Sequence, residues 1–213
     1  MACEISPMKM ENDFILTRRG FLAASLVVPD ILLYGTVHGL EAATGTRELE
    51  LTPACADADD ITPPQTAGPF YKPRSPQRKS LLEPGIPGTR IVLEGHVRST
   101  KCKPIQGALL DFWQADGNGA YDNAGYRLRG HQLADGAGRY RLDTVVPGLY
   151  PGRTRHFHVR VQAPNRPVLT TQLYFPGEPG NKRDWIFNPK LVIALRDSAG
   201  AKAASFDFVL DLG

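Results

Sequence analysis

The chain has 213 residues, of which 42% are hydrophobic and 22% are charged, and its formal net charge is +3. This composition excludes a disordered chain, and the small, dispersed basic excess gives no reason to expect nucleic-acid binding. The length allows one domain with a real core. The 21 glycines and 18 prolines lie between short β-rich runs, so they predict an all-β domain with many turns.

The first predicted element, residues 1–43, is typical of a twin-arginine export signal. Arg18 and Arg19 precede Phe21, Leu22 and the apolar run 23–28. The alternative is a short amphipathic or buried helix that happens to follow two arginines. The run is too short and too interrupted to predict a stable membrane span. We therefore predict export through the twin-arginine pathway to the periplasm or the extracellular space, with the cleavage position left open.

The cysteine usage fits the same oxidising compartment. Cys3 lies in the predicted signal, which leaves Cys55 and Cys102 to form a single disulfide. Two unpaired thiols are the alternative, because the sequence does not show whether the two Cα atoms come within bridging distance.

Residues 44–88 predict a turn-rich, extended arm that precedes the main domain. Within it, the segment 62–71 reads TPPQTAGPFY and contains too many prolines for a helix or a central strand. We expect this segment to pack as an extended loop.

From residue 89 to residue 213 the pattern changes to short strands that are separated by turn signals such as 115–119, 135–138 and 197–200. Strands are predicted at 91–98, 108–115, 139–143, 156–162, 170–175, 190–195 and 204–210. Because strands that bury one face need partners in a second sheet, this region predicts a single β-sandwich domain. An immunoglobulin-like adhesion domain would show the same periodicity, so function must come from the site.

The segment 150–158 and Tyr121 together form a candidate metal site. His156 and His158 alternate around one residue of a predicted strand, so both imidazoles point to the same face and one metal ion could bind both. Tyr121 and Tyr150 add two phenols. A phenol ionises near about pH 10, so a trivalent ion such as Fe(III) is the ion that would take it as a ligand. The alternative is a solvated strand face with strand-edge tyrosines, and Tyr126 competes with Tyr121 as a donor.

Several sequence blocks follow one another in the order found in intradiol ring-cleavage dioxygenases. These blocks are LEGHV at 93–97, DFWQAD at 111–116, GAY at 119–121, VPGLYP at 146–151, RTRHFH at 153–158 and LTTQLYF at 169–175. The chain resembles this family, which includes the catechol and protocatechuate dioxygenases, from about residue 62 to about residue 175.

The resemblance implies a β-sandwich fold, a non-haem Fe(III) cofactor and an enzymatic activity. The expected reaction uses O₂ to cleave a catechol ring between its two hydroxylated carbons, which gives a cis,cis-muconate-type diacid. The expected partners are therefore a small aromatic diol and O₂. The positions that match the family's metal ligands are Tyr121, Tyr150, His156 and His158.

The resemblance also assigns expected roles around the metal. Arg153 matches the active-site arginine, which stabilises negative charge on the bound ring. Tyr150 matches the tyrosine that leaves the metal when the catechol binds. Gln172 matches a glutamine near the substrate, and hydrogen bonding across the sheet is the alternative. The matching substrate contacts at the mouth of the site are Pro69, Phe70 and Tyr71, and aromatic packing of the loop is the alternative.

The chain departs from the family pattern at several points. Arg155 replaces a small residue or proline, and His131 stands where relatives often carry tyrosine; both place the substrate preference in doubt. The short interval from Tyr150 to His156 and the lack of an N-terminal helical domain indicate the small single-domain branch. A dimer built on such helices is not expected, and another homo-oligomer stays open.

Two other classes of function remain. A non-catalytic exported β-sandwich could bind catechols, iron or carbohydrate with the same strands. A divalent-metal hydrolase or oxygenase would typically add a carboxylate to its histidines, and none is adjacent to His156 or His158 in the sequence.

Overall fold

The computed structural model describes residues 61–198 and 200–213, which form nine β-strands and two short 3₁₀ helices. The strands are β1 (Arg90–Ser99), β2 (Leu109–Trp113), β3 (Arg129–Leu133), β4 (Arg139–Val145), β5 (His156–Gln162), β6 (Leu169–Tyr174), β7 (Ala194–Ser198), β8 (Ala201–Ser205) and β9 (Phe208–Leu210). The 3₁₀ helices are Pro179–Lys182 and Pro189–Leu191. The predicted signal and Cys55 lie outside the described residues, whereas Cys102 is exposed. No helix in the described ranges has the length and apolar character needed to cross a membrane.

The strands form two sheets that enclose one core. One sheet has the order β4-β1-β8-β7, with β9 also beside β1, and the other has the order β3-β2-β5-β6. Strand β1 pairs in parallel with β8 and β9, and the remaining pairs are antiparallel. Side chains of both sheets meet in one apolar cluster, where Leu93 and Leu142 of the first sheet join Phe157 and Leu110 of the second. The predicted all-β sandwich is therefore confirmed.

The alternation of side chains along β5 determines where polar residues accumulate. Phe157, Val159 and Val161 face the core, so His156 and His158 point to the outer face of the four-stranded sheet. Register places further polar and aromatic residues of the neighbouring strands on that same face. This outer face includes Asp111, Trp113, Arg129, His131, His156, His158, Arg160, Gln172 and Tyr174.

The described part of the arm covers this outer face. Its backbone is tied to the sheets at Gln65, whose N–H donates to Thr170 O at 2.8 Å, and at Arg78, whose N–H donates to His131 O at 2.8 Å. Leu81 of the arm is fully buried and packs in the core. The site on the outer face is therefore enclosed between the sheet and the arm.

Five of the seven predicted strands agree with observed strands to within two residues, and two are wrong. The predicted strand 190–195 begins only at Ala194, because Pro189 starts a 3₁₀ turn that the Asn188 side chain caps by accepting from Lys190 N. The predicted strand 204–210 is interrupted at Phe206, so it belongs to two strands, β8 and β9.

Close packing explains the interruption at Phe206. The Phe206 N–H donates to Glu94 O at 3.0 Å, and a Cβ added at Gly95 would lie 1.9 Å from Phe206 O. The backbone between β8 and β9, which both run parallel to β1, therefore approaches β1 so closely at this point that only glycine fits. The sequence does not predict strand β3, because RGHQL carries little of the apolar alternation that indicates a strand.

Candidate metal centre

His156 and His158 lie at the start of β5, and their side chains each direct one nitrogen to the same point. Their Nε2 atoms lie 3.1 Å apart, and the two residues are 5% and 2% exposed. The His156 Nδ1 lies 2.6 Å from Thr154 O, so this nitrogen is the donor and Nε2 carries the free lone pair. The His158 Nδ1 is buried without a hydrogen-bond partner among the described residues, and its ring stacks on Trp113.

Burial keeps both imidazoles neutral. Loss of solvation lowers the pKa of His156 from 6.5 to about 4. Burial, followed by the neighbouring charge of His156, holds the pKa of His158 well below its ordinary value. Both rings are therefore uncharged near neutral pH, which is the state in which imidazole binds a metal ion.

Tyr121 and Tyr150 lie beside this histidine pair. Their ring centroids are 6.0 Å apart, and the Tyr121 ring centroid is 6.3 Å from that of His158. Burial raises the pKa of the Tyr121 phenol far above its usual range, an effect that nearby arginines reduce only in part. Without a strong Lewis acid this phenol therefore keeps its proton.

The chemistry of these four side chains fits Fe(III). Among the described residues, no group of three or more His, Cys, Asp or Glu side chains could hold a metal ion. An ion held at His156 and His158 would therefore take its remaining protein ligands from the tyrosines rather than from a carboxylate. Phenolate oxygens suit a hard trivalent ion, which is acidic enough to displace a phenol proton.

Arg153 lies close to this centre and is held from two sides. Its Nε donates to Asp184 Oδ2 at 2.8 Å, and its Nη2 donates to Gln172 Oε1 at 2.7 Å. Burial alone would raise the pKa of Asp184, but hydrogen bonds from Thr154 N and Arg153 outweigh it and hold the pKa below its usual value. Asp184 is therefore a charged partner of Arg153 that no sequence pattern indicated.

Gln172 is fully buried, and it connects the sheet to the arm. Its Nε2 donates to Thr66 O at 2.8 Å, while its Oε1 accepts from Arg153. The Tyr174 hydroxyl lies 3.3 Å from the same Oε1 and 3.1 Å from Gln65 Oε1. Gln172 thus bonds to the arm and to the arginine of the site, and these side-chain bonds do not run to a neighbouring strand as the structural alternative expected.

Arg155 forms an ion pair and a backbone hydrogen bond with neighbouring loops. Its Nε donates to Glu178 Oε1 at 2.8 Å, and its Nη1 donates to Pro147 O. The Arg155 guanidinium therefore ties the segment before His156 to the loop that follows β6.

His131, the other departure from the family pattern, lies away from the histidine pair. Its Nδ1 is 2.7 Å from Ser75 O in the arm.

The three predicted substrate contacts separate in space. Phe70 stacks on Tyr121 with ring centroids 4.3 Å apart and meets Tyr150 edge-on at 5.3 Å, so it covers both tyrosines. Pro69 is exposed next to it.

Tyr71 packs away from the tyrosine pair. Its ring centroid lies 4.9 Å from that of Trp113 and 3.7 Å from the Arg160 guanidinium. The Tyr71 side chain thus contacts supporting residues rather than the four donors.

The competing donor Tyr126 faces elsewhere. Its hydroxyl donates to Pro73 O at 3.0 Å, and Lys72 Nζ lies 4.4 Å from its ring centroid. The structure therefore brings Tyr121, not Tyr126, next to the histidine pair.

Sequence reasoning gave no role to Arg129, which supports both Phe70 and the segment after Tyr121. Arg129 is 2% exposed, and its Nη1 donates to Phe70 O at 2.6 Å while its Nη2 donates to Asp122 O at 2.9 Å. Burial lowers the pKa of this guanidinium, although nearby acidic groups oppose the effect. Arg129 therefore fixes the Phe70 backbone to the Tyr121 loop.

The fold and this arrangement define a β-sandwich protein whose candidate metal centre combines two histidines and two tyrosines on the outer face of one sheet. Residues 66–212 match the protein family described as Dioxygenase. The chain belongs to the intradiol ring-cleavage dioxygenase family.

Three relatives place the chain within this family. A catechol 1,2-dioxygenase of Pseudomonas sp. is 29% identical over 59% of this chain and 51% of its own length. A 6-chlorohydroxyquinol 1,2-dioxygenase of Cupriavidus pinatubonensis is 25% identical over 85% of this chain and 74% of its own. The solved dioxygenase domain of a dioxygenase and carbohydrate-binding protein fusion from Streptomyces sp. SirexAA-E is 54% identical, with a TM-score of 0.70 over 72% of this chain and 99% of that domain. The chain thus spans about half the length of the catechol dioxygenase and nearly all of the solved domain.

Proposed function

We propose that the protein is a non-haem Fe(III)-dependent dioxygenase that opens the ring of a catechol between its two hydroxylated carbons. The products would be cis,cis-muconate-type diacids. The observation that carries this proposal is the pair of neutral imidazole nitrogens 3.1 Å apart, with two tyrosines beside them and no carboxylate cluster in the described residues. When bound, Fe(III) would supply Lewis acidity that makes the catecholate ring reactive toward O₂.

The protein's own residues divide the remaining work. His156 and His158 would hold the metal through Nε2, and Tyr121 and Tyr150 would hold it through their phenolate oxygens. Tyr150 is the ligand proposed to release the metal on substrate binding, and its oxygen would take one of the two hydroxyl protons of the catechol. Tyr121 stays in place, because Phe70 stacks on its ring.

Arg153 would stabilise the negative charge that develops on the ring carbons of the bound catecholate. Its Nε and Nη2 are held by Asp184 and Gln172. A guanidinium that stays cationic and is already oriented needs little reorganisation when the charge forms. Phe70 would limit the space above the tyrosines and exclude water from them.

The test is an assay of the iron-loaded protein with catechol under air. We expect one O₂ consumed per catechol and a product heavier than catechol by two oxygen atoms, with an open ring. The Arg153→Met variant should lose most of this activity and keep its iron, and Arg139→Met, at an exposed ion pair, should behave as wild type. A protein that binds catechol without ring opening would support the binding alternative and overturn the catalytic proposal.

We further propose that the protein is exported through the twin-arginine pathway. The sequence pattern at Arg18 and Arg19 carries this proposal. The test compares wild type with a variant in which both arginines are lysine, by cell fractionation in a host with an intact twin-arginine system. We expect wild type in the periplasm or medium and the variant in the cytoplasm. Equal distribution of the two proteins would contradict export by this route.

A further inference from the structure

A buried carboxylate outside every recognised motif holds Arg153. The Asp184 side chain is 1% exposed and that of Arg153 is 15% exposed, and Asp184 Oδ2 accepts from Arg153 Nε at 2.8 Å. A charge this deeply buried needs a partner, because its desolvation is costly otherwise. Asp184 supplies the opposite charge, and Gln172 Oε1 fixes a second nitrogen of the guanidinium at 2.7 Å.

Asp184 is itself rigidly held by backbone groups. Its Oδ2 also accepts from Thr154 N at 2.9 Å, and its Oδ1 accepts from Ile186 N at 3.2 Å. Its own N–H donates to Gly180 O at 3.0 Å. The carboxylate thus has little freedom to move, so the atom that orients Arg153 is fixed by the loop rather than by solvent.

The loop 178–184, which we call the clamp loop, contacts each residue of the segment 153–155. Thr154 Oγ1 donates to Asn181 Oδ1 at 2.7 Å, and Arg155 pairs with Glu178. A Cβ added at Gly180 would lie 2.9 Å from Thr154 Oγ1, so the loop approaches this segment closely. The segment that leads into His156 is therefore held by contacts of the clamp loop with three successive residues.

We propose that Asp184 is the positioning residue of Arg153: through Nε it sets the orientation in which the guanidinium meets the substrate. This inference rests on the proposed function, since Arg153 acts on substrate only if the site takes a catechol. Asp184 acts through Arg153 and touches none of the four metal donors in the described structure. Loss of the Asp184 charge should therefore weaken the binding and turnover of the negatively charged catecholate and leave iron binding unchanged.

A purely structural role is the competing explanation, because Asp184 also anchors Thr154 N. The Asp184→Asn variant separates the two roles. Thr154 N and Arg153 Nε both donate to Oδ2, so the amide oxygen of the variant can still accept from both, while the charge that attracts Arg153 is gone. The matched control is Asp197→Asn, which removes the charge of an exposed carboxylate paired with Lys202.

The experiment is a double-mutant cycle on the iron-loaded protein with Asp184→Asn, Arg153→Met and the double variant. Three quantities are measured: kcat/KM, the dissociation constant of catechol from its spectral change without O₂, and the iron content. We expect Asp184→Asn to lower kcat/KM and weaken catechol binding, each by about 10-fold, with unchanged iron content. In the Arg153→Met background the same substitution should have no further effect, and Asp197→Asn should match wild type.

An equal loss from Asp184→Asn in both backgrounds would overturn the inference, as would a loss of iron or no loss at all. A second measurement does not depend on catalysis. The Arg153 Nε–H resonance should exchange more slowly in wild type than in Asp184→Asn, because a hydrogen bond to a carboxylate is stronger than one to an amide oxygen, and equal exchange rates would also overturn the inference. If wild type itself opens no catechol ring, the proposed function fails, and this resonance still decides whether Asp184 orients Arg153.

Discussion

Trp113 and His158 lie opposite each other on β2 and β5, and their rings stack with centroids 4.9 Å apart and planes 5° from parallel. Metal-binding histidines usually donate their second ring nitrogen to a fixed acceptor, which sets the orientation of the ring. His156 follows this rule through Thr154 O. The Nδ1 of His158 has no such partner among the described residues, so the Trp113 stack is what orients this ring.

We therefore expect Trp113→Leu to weaken iron binding by about 10- to 100-fold, as the loss of a supporting contact usually does. Trp113→Phe should retain most of the affinity, because a smaller aromatic ring can still stack. The measurement is a competition titration with a chelator. The matched control is Trp185→Leu, since Trp185 is 84% exposed and should leave the affinity unchanged. Equal affinity in Trp113→Leu and wild type would show that the stack does not orient His158.

Gly68 presses its backbone against the same histidine. A Cβ at this position would lie 3.3 Å from His158 Cε1 and 3.7 Å from Nε2, and its φ is +65°. Gly68→Ala should therefore displace the ring and lower iron affinity, in addition to about 1 kcal/mol of backbone strain.

The control for this strain is Gly85→Ala. Gly85 has a φ of +76° and no atom within 4 Å of an added Cβ. Both variants should lose similar stability in urea unfolding, and only Gly68→Ala should lose iron affinity. Iron binding that falls equally in both variants would mean that the strain, not the contact with His158, is responsible.

Acidification should destabilise the metal-free protein between about pH 6.5 and pH 4. The pKa of His156 is 6.5 in the unfolded chain and about 4 in the fold, so the unfolded state binds the proton first. The contribution of His156 to the free energy of unfolding is therefore present in full above about pH 6.5 and is lost as the pH falls toward 4. Between pH 7 and pH 5 His156 alone should account for about 2 kcal/mol. Urea unfolding at the two pH values measures the difference, which should shrink in His156→Gln. A pH-independent stability would contradict burial of neutral histidines.

Arg129 should be required to hold the Phe70 ring over Tyr121 and Tyr150. Lysine carries the same charge but cannot bridge Phe70 O and Asp122 O at once, so Arg129→Lys leaves a buried carbonyl without its donor. We expect a loss of about 2 kcal/mol in unfolding free energy and a raised KM for catechol, because Phe70 is no longer held on Tyr121. Arg139→Lys, at an exposed pair with Asp135, is the control and should change neither quantity. An unchanged KM in Arg129→Lys would show that Phe70 holds its place without Arg129.

The sandwich could be predicted from the sequence because most strands carry a local signal. Residues 156–162 alternate apolar and polar side chains, and β5 was predicted with the observed boundaries. The period of two also placed His156 and His158 on one face. The strands near the C-terminus carry a weaker signal: β7 is mostly exposed, and the break between β8 and β9 depends on the close approach to Gly95, which is distant in sequence.

The supporting residues of the site could not be predicted, because they depend on register and on long loops. Trp113 lies in a recognised block, yet its stack on His158 follows from the pairing of β2 with β5. Asp184 is 31 residues from Arg153 in a loop without a regular pattern, so only the folded chain shows the contact. Tyr71 illustrates the converse, since it lies next to Phe70 in sequence but packs against Trp113.

The central claim is that two tyrosines and two histidines bind one Fe(III), and the visible spectrum of the iron-loaded protein tests it most directly. The measurement compares wild type with Tyr121→Phe, Tyr150→Phe and the control Tyr126→Phe, whose hydroxyl bonds to Pro73 O. We predict one iron per chain and a phenolate charge-transfer band that shifts in both Tyr121→Phe and Tyr150→Phe and is unchanged in the control. A colourless iron-loaded protein, or a band that survives both substitutions unaltered, would contradict the assignment.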